Sequence, residues 1–125
     1  MFKNSGYILI LNLILLSLIL LFIPILVQIE RINFKITNNR QFCSQNKIAA
    51  LSGIEYQLYL LKDKQTLSKR KLILNDKLTI DIEGGEKNDY YLLESAAGKI
   101  GNGYRVIAQI DKENLEVITK TIIRR

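Results

Sequence analysis

The sequence predicts an α+β fold in which a long N-terminal helix, its first half transmembrane, packs on a C-terminal antiparallel sheet of four to five strands. Three observations predict it. Residues 7 to 28 carry no charge. Past that point apolar residues return every three, four or seven positions, with no Gly or Pro between Ile25 and Ser52. Beyond residue 71 the apolar period falls to two, the period of a strand. The implied organisation is 7–28 as a span, 29–62 as an amphipathic continuation of the helix, and 63–125 as the sheet.

The span reads YILILNLILLSLILLFIPILVQ, from Tyr7 to Gln28. Twenty-two helical residues extend about 33 Å, which matches a hydrocarbon core of about 30 Å. Its Leu, Ile, Phe and Val side chains favour insertion by roughly 0.3–0.6 kcal/mol each near the centre, a sum that Asn12 and Pro24 reduce without reversing. A cleaved secretory signal would have a shorter apolar run and a small-residue cut site, and Pro24-Ile25-Leu26-Val27-Gln28 offers none. Pro24 cannot donate a backbone hydrogen bond and should kink the helix, although membrane helices tolerate proline. Asn12 has two readings: a hydrogen bond to a neighbouring helix, or a place at headgroup level with no role. Only Lys3 precedes the span, whereas Arg31, Lys35 and Arg40 follow it, so charge alone favours a cytoplasmic C-terminus.

The polar switch at Gln28-Ile29-Glu30-Arg31 need not end the helix. Ile29, Ile32, Ile36, Cys43, Ala50, Ile54, Leu58 and Leu61 keep one face apolar. Ile36, Cys43, Ala50, Ile54 and Leu58 are therefore expected in a helix–sheet core, with Cys43 a small buried residue rather than a reactive thiol. The helix should stop in the polar stretch 62–71. Leu72-Ile73-Leu74 and the run through Leu78, Ile80 and Ile82 flank Asn75-Asp76, a hairpin turn. Gly84-Gly85 is expected to end the second strand, and residues 90–95 form a third. Tyr104, Val106, Ala108 and Ile110 alternate with polar residues. Residues 111–114 then turn the chain into a last strand from Leu115 to Ile122. Such a sheet must bury one face, and the helix stripe is its partner.

Composition narrows the chemistry. The 125 residues include no His and one Cys, so no Ser-His-Asp triad, Cys-His pair, His-based metal site or internal disulfide can form. An enzyme is not expected, nor is a cofactor or a metal. Glu83, Glu86 and Asp89 lack the spacing of an EF-hand loop. Gly98, Gly101 and Gly103 lack the order of a phosphate loop and read as a strand connection. Lys62, Lys64, Lys69, Arg70 and Lys71 form the densest basic run, without the interleaved aromatics that stack bases. The net charge of +6 allows DNA as a ligand but does not support it.

The assembled order resembles type IV pilin-like proteins. These have a short leader ending in Gly, an apolar helix directly after it, continuation of that helix into a globular domain, and a C-terminal antiparallel sheet. The leader would be Met1-Phe2-Lys3-Asn4-Ser5-Gly6, and the mature chain would begin at the aromatic Tyr7. The closer likeness is to PilX-like minor pilins and K-type pseudopilins, whose helices often carry an AAExGIExAL-like segment. Residues 49–58, AALSGIEYQL, are similar in order and position, and the final GYRVIAQIDKENLEVITKTIIRR looks like the closing hairpin of such proteins. Where pilins usually carry Lys or Arg before the cleaved Gly, this chain has Ser5. Where major pilins carry Glu as the fifth mature residue, it has Leu11, as a tip or priming subunit would.

The resemblance implies cleavage between Gly6 and Tyr7 by a prepilin peptidase, with methylation of the new amine. It implies packing in a filament core through Leu11, Asn12 and Pro24, and a soluble part outside the cytoplasm, against the charge count. Partners would be membrane lipid, other pilin-like subunits and inner-membrane assembly machinery. Two other functions stay open on the residues: a bitopic membrane interaction protein in which the helix only anchors, and a DNA-capturing subunit of a competence pilus.

Overall fold

The structure is a computed structural model and describes residues 4–67, 69–75 and 78–125. Helix α1 (Ser5–Lys64) is followed by β1 (Arg70–Asn75), β2 (Leu78–Glu86), β3 (Tyr90–Ala97), β4 (Tyr104–Asp111) and β5 (Val117–Arg124). The chain divides into two compact units, one running to Asn38 and the other spanning Asn39–Arg125. Met1, Phe2 and Lys3 of the expected leader, and Asp76 of the expected hairpin turn, lie outside the described residues.

The first unit is helical throughout its described length after Asn4, and Pro24 stands inside the helix. The helix is long and apolar enough to cross a membrane, and none of its most apolar stretch is buried. Ile29, Ile32 and Ile36 are also exposed, Ile36 at 47%. Ile36 therefore does not belong to the helix–sheet core. Helical period identifies an apolar face but says nothing of what covers it, and in α1 burial begins only at Asn46.

In the second unit the five strands form a single sheet in chain order, each neighbouring pair antiparallel. Its inner face carries Ile80 and Ile82 from β2, Leu93, Ser95 and Ala97 from β3, and Val106, Ala108 and Ile110 from β4, all buried. The cross-strand pairs Ile80↔Ala97, Ile82↔Ser95, Ser95↔Val106 and Leu93↔Ala108 put these residues on one side, as the period of two requires. Ala49, Ala50, Ile54 and Leu61 of α1 complete the core, with Leu58 partly buried against it.

Gly53 fixes how closely helix and sheet approach. A Cβ there would lie 2.9 Å from Ile80 Cγ2 and closer still to Ser95 Oγ. Only a residue without a side chain lets the helix backbone sit this near β2 and β3. At the N-terminal side of this contact, Asn46 donates from Nδ2 to the Asn102 carbonyl at 2.9 Å, tying the helix to the β3–β4 connection.

Two strand boundaries differ from the sequence expectation. β2 runs through Gly84 and Gly85 to Glu86 instead of ending at them. Gly84 serves packing: a Cβ there would come within 2.8 Å of Leu67 Cδ2, in the link between α1 and β1. β5 begins at Val117, not Leu115, because residues 111–116 close a longer turn. In it the Asp111 N–H donates to the Glu116 carbonyl, Asp111 Oδ1 accepts from the Glu113 N–H, and Leu115 has a positive φ of 56°.

Because this core lies wholly within the second unit, a chain starting at Ile29 should remain folded without the span. Thermal or urea unfolding of that fragment should be a single cooperative transition. Ile54→Asp places an unpaired carboxylate at a site 2% exposed and should cost about 3 kcal/mol or more, or prevent folding. An unchanged midpoint in Ile54→Asp would remove Ile54 from the core.

Candidate functional site

Two surfaces can carry function, one in each unit. In the first unit it is the helix surface from Tyr7 to Val27. Gly6 lies in the first turn of α1, and a Cβ on it would meet nothing within 4 Å among the described residues. Tyr7 is 71% exposed and Leu11 50%, and the Ile8 N–H donates to the Asn4 carbonyl at 3.1 Å. Asn12 is exposed. Ser17 donates to the Ile14 carbonyl at 2.8 Å, which satisfies its hydroxyl within the helix. Around Pro24 the surface forms a shallow notch of about 380 Å³ lined by Ile23, Pro24, Val27, Gln28 and Arg31. This surface is apolar all round the helix; water would penalise it, and lipid or other apolar helices would cover it.

In the second unit the surface is the sheet and its edges. Its outer face is laced with both charges. Arg105 Nε meets Glu94 Oε1 at 2.7 Å and Lys69 meets Glu83 Oε2 at 3.3 Å, while on the other face, beside Tyr91, Lys112 meets Glu86 Oε1 at 2.8 Å. Lys71 stands opposite Asp81 across the β1–β2 ladder. The basic run at the helix end is thus partly answered by carboxylates, and no field of one sign forms along β1 and β2 that would track a phosphate backbone. Lys62 and Lys64 lie in the last helical turn, where they complement the carbonyl end of the helix.

Of the acidic trio considered for calcium, Glu83 and Glu86 are engaged with Lys69 and Lys112. No group of three or more His, Cys, Asp or Glu that could hold an ion occurs among the described residues. Gly98 and Gly101 adopt positive φ of 83° and 100° in the β3–β4 connection, and Gly103 sits where a Cβ would strike the Lys99 carbonyl at 2.7 Å. These glycines shape a turn.

The helix residues singled out from sequence are partly brought together. Ala50 and Ile54 are in the core and Leu58 touches it. Cys43 is half-buried, with the Arg124 guanidinium 3.9 Å from its sulfur. Sequence reading missed Asn46, Ala49, Gly53, Gln57 and Leu60, which are also buried. The Gln57 amide and the Ser95 hydroxyl are buried without a hydrogen-bond partner among the described residues. On the helix side of β1 lies a groove of about 620 Å³, lined by Ile48, Ser52 and Tyr56 of α1 and by Leu72, Leu74 and Leu78.

No family model, curated protein or solved structure matches the chain.

Proposed function

We propose that the protein is a minor pilin or pseudopilin: a structural subunit of a type IV pilus, a competence pilus or a type II secretion-like filament, with a priming or tip role. One observation carries the reading. A glycine–aromatic boundary, Gly6–Tyr7, stands directly before a charge-free helical segment, and the same helix runs on without interruption to Lys64, ahead of a C-terminal antiparallel meander. In this reading the apolar segment holds the subunit in the membrane, with the second unit outside the cytoplasm, and later packs beside other such helices. Its partners are a prepilin peptidase, the inner-membrane assembly machinery and other pilin-like subunits. Leu11 supplies no carboxylate to meet a neighbour's terminal amine in a medium of low dielectric, where an unpaired charge is costly. The position with no subunit ahead is where that lack matters least.

Intact-mass measurement of the protein purified from its native membrane tests this. The expected mass is that of a chain beginning at Tyr7, with one added methyl group if the amine is methylated. A full-length mass in a cell with an active prepilin peptidase defeats the filament reading and favours the alternative of a bitopic interaction protein, whose helix only anchors. DNA capture is the weaker alternative, because the charges on the outer sheet face are interleaved.

A further inference from the structure

We propose that α1 holds one anionic phospholipid at the C-terminal end of its apolar segment, the phosphate taken by Arg31 and Lys35 and the upper part of one acyl chain by the notch at Pro24. The inference rests on that segment lying in a bilayer, and not on the filament assignment or on leader cleavage.

The site lies wholly within the first unit. Ile23, Pro24, Val27, Gln28 and Arg31 line the notch of about 380 Å³. Pro24 presents a compact ring among Leu, Ile and Phe side chains, and that difference in reach makes the hollow. The lining changes along the helix in the order of a bilayer leaflet. Its lower wall is apolar, Gln28 offers an amide, and Arg31 closes the upper end with a guanidinium. Lys35 follows Arg31 by four residues, the spacing that sets two side chains on one helix face. Pro24, Gln28, Arg31 and Lys35 therefore form one line up the helix, in steps of four, three and four.

Depth selects the ligand. Residues 7–28 carry no charge and extend about 33 Å against a hydrocarbon core of about 30 Å, so Gln28 and Arg31 fall at headgroup level. Lys35 stands about 6 Å further out, one turn above. Helical side chains lean toward the N-terminus of their helix, which here carries both cations back toward the phosphates. Their stems can lie along apolar surface while the charged heads stay at the polar boundary.

Charge selects it further. Arg31 and Lys35 are exposed and form no ion pair among the described residues, unlike Lys69, Arg105 and Lys112. Glu30, the nearest carboxylate in sequence, lies about 100° round the helix from Arg31. Two unanswered cations on one face fit a headgroup of net negative charge. The guanidinium can fork onto two phosphate oxygens, and the ammonium adds a second charge. Phosphatidylcholine brings its own ammonium against both cations, whereas phosphatidylglycerol has the same phosphodiester without it.

The test uses full-length chain in nanodiscs of equimolar phosphatidylcholine and phosphatidylglycerol, released gently, with retained lipid counted by native mass spectrometry. Each cation near a membrane surface is worth about fivefold, so the pair should retain phosphatidylglycerol about twentyfold over phosphatidylcholine, at one per chain. Arg31→Gln should lower the preference to about fivefold. Arg31→Gln combined with Asn33→Arg, at an exposed position, restores the net charge at the same depth but about 200° round the helix, and should behave like Arg31→Gln alone. A full preference in that double variant would reduce the attraction to surface charge and overturn the site. Equal retention of both lipids by the parent would also overturn it, and would leave the span standing if the chain stays in phosphatidylcholine vesicles through alkaline carbonate extraction. A chain that carbonate strips from those vesicles loses span and site together.

Discussion

Gly53→Val should unfold the second unit or cost it about 3 kcal/mol or more, the largest loss expected from any single small substitution in the helix. A Cβ at residue 53 collides with Ser95 Oγ and stands 2.9 Å from Ile80 Cγ2. Neither neighbour can retreat, since Ser95 and Ile80 are buried in the middle of a five-stranded sheet. Gly53→Ala separates two opposed effects. Alanine in a helix interior is favoured over glycine by about 1 kcal/mol, but the same Cβ meets the same wall. The clash should win, leaving Gly53→Ala less stable than the parent by about 1–2 kcal/mol.

Ser95 provides the control. Its hydroxyl is buried without a partner among the described residues, so removing it forfeits none of the hydrogen bonds they form. Ser95→Gly clears both of the Ser95 atoms that crowd residue 53. Combined with Gly53→Ala it should recover at least about 1 kcal/mol beyond the sum of the single changes. Urea midpoints of the four proteins, measured on the fragment starting at Ile29, give the coupling directly. Additivity within about 0.5 kcal/mol would mean that helix and sheet are not in contact at this point.

The close approach at Gly53 also explains what the sequence did and did not disclose. Strand periodicity was legible because β2 and β4 alternate cleanly: Ile80 and Ile82 inward with Asp81 and Glu83 outward, Val106, Ala108 and Ile110 inward with Arg105 and Gln109 on the other face. The helix stripe was legible only where its members are aliphatic. Ala50, Ile54 and Leu61 stand out in an apolar pattern, but Asn46, Gly53 and Gln57 do not, although they are equally buried. A period count scores a polar or side-chain-free residue as a gap. Burial at those positions reflects the nearness of the sheet, which is a tertiary fact. The opposite error arose at Ile36, where an apolar residue in register is 47% exposed.

The candidate surfaces divide the same way. A helix long and apolar enough to cross a membrane was legible from composition alone, because lipid is a uniform solvent and demands only length and apolarity. The groove beside β1 was not. It is assembled from Ile48 and Tyr56 on one element and Leu72 and Leu74 on another, and no spacing rule links the two. The exposure of β5 was likewise hidden, since an alternating apolar strand reads the same whether central or at an edge. Only the meander order, which leaves β5 last, makes it an edge.

Gly6→Val should abolish maturation while leaving the protein folded and in the membrane, and the contrast between those outcomes gives the experiment its force. Among the described residues, nothing lies within 4 Å of a Cβ at residue 6. Valine is also a better helix former than glycine, so α1 gains slightly, if anything, at its first turn. The charge-free segment from Tyr7 onward is untouched, and insertion should be unchanged. Any loss of processing must therefore arise in the active site of the peptidase, where a branched side chain replaces the residue that permits the closest backbone approach. In the native host the parent should be recovered without its first six residues and the Gly6→Val variant with them, at similar amounts in the membrane fraction. Gly6→Ala, which adds one carbon, should give both masses together. The anchor alternative expects a different pattern: the parent uncut, both variants identical to it, and every function of the protein intact in each. Cleavage of Gly6→Val at the parental rate would show that the Gly6–Tyr7 boundary is not the recognised bond, and the filament assignment would lose the observation that carries it.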